Sequence, residues 1–192
     1  MKNNIDKNQI YILERELTKA TTDFYISEFL FEKSYLDLLK RYSQFLKDIS
    51  NHYAYTSIEC LYKIFDKGTQ TNNIDYVIRQ LIDKAKQNNY NQKIKQLRGN
   101  LKPILDRRSE NISHSEKKTD NDYLVFYKTY SIQEYNDIIK PALNDIADLL
   151  YNLREDFGYA SDLDHIYSGT THECGYLINS LIEIEKQRGY VN

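Results

Sequence analysis

SIQEYNDIIKPALNDIADLLYNLREDFG, residues 131–158, is the stretch whose reading decides the fold class. Tyr135, Ile138, Ile139, Ala142, Ile146, Leu149, Leu150, Leu153 and Phe157 recur at steps of three and four, which lines one face of an α-helix. Its opening, Ser131-Ile132-Gln133-Glu134, is a capping-box pattern in which the serine hydroxyl and the glutamate carboxylate each take up an orphan amide. Pro141 either interrupts this helix or opens its second part.

The same periodicity extends outward from that stretch. Helices are expected over Ile5 to Thr21, over Phe24 to Ile49 with Phe29, Leu30, Leu36, Leu39, Tyr42, Phe45, Leu46 and Ile49 as core, over Ser57 to Asp66, and over Ile74 to Lys86. Lys67 to Asn72 reads as a loop and Asn88 to Asn91 as a connection. From Gln92 the pattern resumes with Ile94, Leu97, Leu101, Ile104 and Leu105, bent by Gly99 and Pro103. A polar loop follows from Ser113 to Asp122, and the last helix covers Thr170 to Gln187, with Leu177, Ile178, Leu181, Ile182 and Ile184 apolar. Only 2 prolines and 6 glycines occur in 192 residues, too few turn formers for a β-sandwich. With 41% hydrophobic and 28% charged residues, the composition is that of a folded globular chain. The expectation is therefore an all-α helical bundle, one domain over residues 1–192, with 1–22 as an N-terminal extension helix. The longest apolar run is Tyr123 to Tyr127, far short of the roughly 20 residues that span a bilayer. Met1 to Lys7 has no apolar signal region, so no membrane contact and a cytoplasmic location are expected. Cys60 and Cys174 read as reduced, buried thiols rather than a disulfide framework.

Charge is distributed unevenly. Lys84 to Lys118 holds ten basic and three acidic residues, a local charge of +7 inside a chain of net charge -2. Such a segment draws a polyanion to one region, or it is simply a solvated helix face. No glycine pattern forms a phosphate loop or a dinucleotide fingerprint, and no Gly-x-Ser-x-Gly elbow occurs. His172-Glu173-Cys174-Gly175-Tyr176 begins like a zinc protease helix but carries Tyr176 where the second histidine ligand belongs. Asp162, Asp164, His165, His172 and Cys174 read better as surface residues than as metal ligands, so neither metal nor cofactor is expected.

Within the basic segment, Arg107-Arg108-Ser109-Glu110-Asn111-Ile112-Ser113-His114 combines phosphate-binding and proton-transfer chemistry. A guanidinium fork holds a phosphate, and an imidazole titrates near neutrality. Together they suffice for RNA cleavage without metal, the histidine taking the 2'-hydroxyl proton while arginine stabilises charge growing on phosphate oxygens. At about 100° per residue, Arg108 and His114 stand about 120° apart round a helix. Either the helix ends near Ile112, or a second chain completes the pair. Arg107, Asn111 and His114, spaced i, i+4, i+7, share a face and make Arg107 a rival for the arginine role. The alternative for all these residues is capping and salt bridging.

Arg108 to His114, with the small residue Ser113 before the histidine, resembles the arginine, four-to-six-residue gap, histidine motif of HEPN domains. More specifically, it is similar to the abortive-infection AbiU-like HEPN group, with Ser57 to Asp66 and the helix from Ser131 standing where that group has its flanking helices. The resemblance implies a helical bundle that dimerises with its two Arg/His motifs facing each other. It implies a metal-independent ribonuclease of phage defence or a toxin system, with Arg108 on phosphate and His114 moving the proton. Arg107, Ser109 and Asn111 would support them, and Lys102, Lys117 and Lys118 would contact RNA. The partners it implies are a second copy, an RNA substrate, and an antitoxin or phage-derived trigger. Other members of the family are silent modules that bind RNA or act as scaffolds, so a non-catalytic module binding RNA, a nucleotide or a protein is the alternative. Glu116 stands where one branch carries a tyrosine modified by its antitoxin, and that regulation is not implied here.

Overall fold

The computed structural model describes residues 7–66, 73–115, 132–159 and 170–189, apart from the side chains of 7, 107–115, 132–136 and 170–173. The described residues are helical, without strands: α1 Lys7–Lys33, a 3₁₀ helix Asp37–Tyr42, α2 Ser43–Phe65, α3 Ile74–Arg79, α4 Lys84–Ser115, α5 Ile132–Asp156 and α6 Thr170–Gln187. They fold as two compact units, one of residues 1–20 and 58–163, the other of 21–57 and 164–192.

In the first unit, Ile10, Leu13 and Leu17 of α1 are buried, as are Ile58, Leu61, Ile64 and Phe65 of α2 and Ile74, Val77 and Ile78 of α3. Each such side chain contributes roughly 1.5–3 kcal/mol on burial. Glu14 is buried with them and pairs with Arg154 of α5 at 2.9 Å, which fixes α1 against α5. Asn73 caps α3, its side chain accepting from the Tyr76 amide at 2.8 Å. Arg98 of α4 binds the Asp75 carboxylate with both terminal nitrogens and donates to the Phe65 carbonyl at 3.0 Å, so one guanidinium fastens α2, α3 and α4.

The second unit is built on Ile26, Leu30, Leu39, Leu46 and Ile178, with Tyr42, Ile49, Leu181 and Ile182 packed around them. Ser27 and Ser50 face each other, and the Ser50 hydroxyl donates to the Ser27 carbonyl at 2.7 Å. Glu185 of α6 is buried and accepts from the Tyr42 hydroxyl at 2.9 Å, with Arg188 3.4 Å away.

Several expected boundaries move. Thr21 lies inside α1, and the expected helix from Phe24 to Ile49 breaks after Lys33. Amides of Ser34, Tyr35 and Leu36 bond three residues back, and the Ser34 hydroxyl donates to the Phe31 carbonyl at 2.6 Å, which tightens and ends the helix. The turn returns Leu39 to the core beside Leu30. It leaves Leu36 and Phe45, both expected in the core, exposed; Phe45 is 56% exposed. Ile82, Leu177 and Ile184 are likewise on the surface. Asn88 to Asn91 does not connect two helices but lies within α4, because Gln87 and Tyr90 belong to its buried stripe. The helix from Ile74 stops at Arg79, and Asp83 then caps α4 by accepting from the amides of Ala85 and Lys86. Both interior prolines, Pro103 and Pro141, are carried within unbroken helices. Cys60 is buried as expected, whereas Cys174 is half-buried. Lys67 to Asn72, Lys117, Lys118 and Asp162 to His165 lie outside the described residues.

Candidate active site

The candidate residues belong to the pairing of α4 with α5, both in the first unit. Gln87, Tyr90, Ile94, Leu97, Leu101 and Ile104 are buried at alternating steps of three and four, a heptad stripe. Helix α5 packs on α4, with Leu97 and Leu149 lining one cleft, and its Ile139, Ala142, Leu143, Ile146, Leu150 and Leu153 are buried. The helices run antiparallel: at one end Lys86 and Tyr90 reach Asp156, and further along Lys93, Gln96 and Leu97 share a cleft with Asp145, Asp148 and Leu149.

At the first of these levels the Tyr90 hydroxyl donates to Asp156 at 2.7 Å, and the Lys86 ammonium donates to its other oxygen. Burial pushes the tyrosine pKa up, and the adjoining Asp156 carboxylate adds to the rise. Lys86 is also raised, chiefly by its hydrogen bond to Asp156. The cleft at the next level holds about 240 Å³ over a floor of Leu97 and Leu149. Its rim carries one ammonium, Lys93, against two carboxylates, Asp145 and Asp148, so it is not a polyanion groove.

Helix α4 continues to Ser115 without ending near Ile112. Arg107, Arg108, Ser109, Asn111 and His114 therefore share one helical backbone, the last two turns and more of α4. Continued along α4, the heptad register assigns Arg108 and Asn111 to the line of the buried stripe. Arg107 and His114 fall on the flanking line of Lys86 and Lys93, each seven residues after the last with Asn100 between. The continuous helix removes an early end near Ile112 as a way to unite Arg108 with His114 on one phosphate. Arg107 keeps its place in line with His114.

The basic segment is less free than its composition suggests. Arg98 is held by Asp75, Lys86 by Asp156, and Lys102, expected to contact RNA, lies 3.6 Å from Asp106 on the surface. The Arg98 and Lys86 pairings were not foreseeable, since their partners lie far away in sequence. The cleft of Lys93, Gln96, Asp145 and Asp148 was also missed; the heptad spacing from Gln87 to Ile104 was its available signal. Among the described residues, no group of three or more histidine, cysteine, aspartate or glutamate side chains is placed to hold a metal ion, and no helix is long and apolar enough to cross a membrane. No family model, no curated protein and no solved structure matches the chain.

Proposed function

We propose that this chain is a metal-independent endoribonuclease of HEPN type, acting in antiviral defence or as a toxin. The supporting observation is the unbroken course of α4 through Arg108 and His114, which sets them about 120° apart round one helix, an arrangement that a second copy would complete. In that composite site His114 removes the 2'-hydroxyl proton. The freed oxygen attacks the adjacent phosphorus, Arg108 neutralises charge on the non-bridging oxygens, and the 5'-oxygen leaves as its bond to phosphorus breaks, taking the proton back from the His114 imidazolium. The products are a 2',3'-cyclic phosphate and a 5'-hydroxyl. Only RNA carries that internal nucleophile. Arg107, Ser109 and Asn111 support the pair, and Lys102, Lys117 and Lys118 meet the RNA backbone.

Purified protein incubated with total RNA in EDTA tests this. The expected result is cleavage that leaves cyclic phosphate ends and is lost in both Arg108→Ala and His114→Ala. Cleavage that needs a divalent metal, or that survives both substitutions, would overturn it.

One observation favours a second reading, a non-catalytic helical module that binds RNA, a nucleotide or a protein. Three cations of the basic segment, Lys86, Arg98 and Lys102, are already engaged by carboxylates of the same chain. Binding of RNA that persists without cleavage, and is unchanged in His114→Ala, would select that reading.

A further inference from the structure

The cleft between α4 and α5 lies wholly within the first unit, and its polar residues come as two pairs. Lys93 and Gln96 stand three apart on α4, and Asp145 and Asp148 three apart on α5, so each pair shares one helix face. All four are exposed, while Leu97 and Leu149 beneath them are buried. Among the described residues, the two carboxylates and the Gln96 amide make no hydrogen bond or ion pair. The Lys93 ammonium has only the Tyr90 ring, its centroid 6.0 Å away. Four uncommitted polar side chains thus surround about 240 Å³ over an apolar floor.

The mixture of charges narrows the ligand. Two carboxylates repel a phosphate, one ammonium opposes a simple cation, and a leucine floor solvates neither. A neutral planar ring satisfies every part: its face packs on Leu97 and Leu149, its N–H groups donate to carboxylate, and its carbonyl accepts from ammonium. Unpaired RNA bases are rings of this kind, read along their Watson–Crick and Hoogsteen edges. Only guanine sets two neighbouring donors, N1–H and N2–H, beside the acceptors O6 and N7. One carboxylate takes N1–H and one N2–H, the other takes the second N2–H, and lysine on O6 and N7 is a common guanine contact. Uracil holds its single N–H between two carbonyls, and adenine and cytosine each set one amine beside a ring acceptor, which would face a carboxylate oxygen.

We propose that this cleft is a guanine site, holding one unpaired base of an RNA strand between Asp145 and Asp148 on one side and Lys93 on the other. Arg107 and His114 continue the line of Lys93 two and three heptads further on, about 21 and 32 Å along α4. A strand anchored in the cleft would extend along that line toward the motif and be cut at a set offset from guanine; that consequence rests on the ribonuclease reading, the guanine site does not.

Guanosine, which carries no phosphate, tests the cleft on the full chain by calorimetry, with the Leu97 and Leu149 methyl signals followed by NMR. It should bind at least about tenfold tighter than adenosine, cytidine or uridine and shift both leucines. Asp145→Asn and Asp148→Asn should each weaken it roughly tenfold, and Lys93→Met roughly fivefold. All three positions are exposed, and circular dichroism checks that each variant folds. Equal binding of the four nucleosides, no binding at millimolar guanosine, or tighter binding of argininamide, the mark of a cation site, would overturn the proposal. Selective guanosine binding by a protein that does not cleave RNA would leave the guanine site standing and remove the ribonuclease. Cleavage indifferent to guanine, with guanosine unbound, would do the reverse.

Discussion

Arg98 illustrates how one side chain decides both stability and available charge. It binds Asp75 bidentately, reaches the Phe65 carbonyl and lies over the Phe65 ring at 5.8 Å. Charge-assisted hydrogen bonds of this kind contribute about 1.5–3 kcal/mol. Arg98→Ala should therefore lower the unfolding free energy by about 2 kcal/mol in urea titration. Arg98→Lys should recover less than half of that, because an ammonium lacks the planar fork. Tyr90 makes a pH prediction. Its raised pKa means the folded state keeps the phenolic proton after the unfolded chain begins to release it near pH 10. Stability from this group is thus full below about pH 10 and falls as pH rises further. Lys86 acts with the same sign, since its pKa is also raised. Thermal melts from pH 8 to 11 should show a steep alkaline loss in the wild type and a shallower one in Tyr90→Phe, which starts from lower stability at pH 8.

At the scale of elements, α4 depends on its cap and its stripe. Asp83→Ala removes the acceptor for the Ala85 and Lys86 amides and should cost about 1 kcal/mol. Leu101→Ala, in the fully buried part of the stripe, should cost about 3 kcal/mol by leaving a cavity against α5. Urea midpoints measure both. The sequence made α5 and α6 legible because strong apolar periodicity coincides there with clear ends. It made α4 less so: four consecutive residues, Asn88 to Asn91, favour turns locally, yet Tyr90 is drawn into the stripe and packing overrides propensity. The end of α1 was hidden for a related reason. Phe24 to Ile49 keeps a helical apolar rhythm, but the Ser34 turn breaks it so that Leu39 and Leu46 return to the core of Leu30. The candidate motif was readable as residue types in a spacing, whereas the continuity of its helix to Ser115 was not.

Over the whole molecule, the local charge of +7 between Lys84 and Lys118 is offset by carboxylates from other segments, Asp75 and Asp156 among them. What distinguishes this region is therefore the arrangement at the end of α4 more than bulk charge. A site completed by two chains requires a symmetric dimer, and sedimentation at micromolar concentration should show one. The most direct test of the composite site mixes two defective proteins. Arg108→Ala and His114→Ala are each expected to be silent on RNA in EDTA. In a mixed dimer, one site regains an intact arginine from one chain and an intact histidine from the other. Half the dimers in an equal mixture are mixed and each has one working site of two, so roughly a quarter of wild-type cleavage should return. A mixture as silent as its components, beside an active wild type, would contradict a site shared between chains.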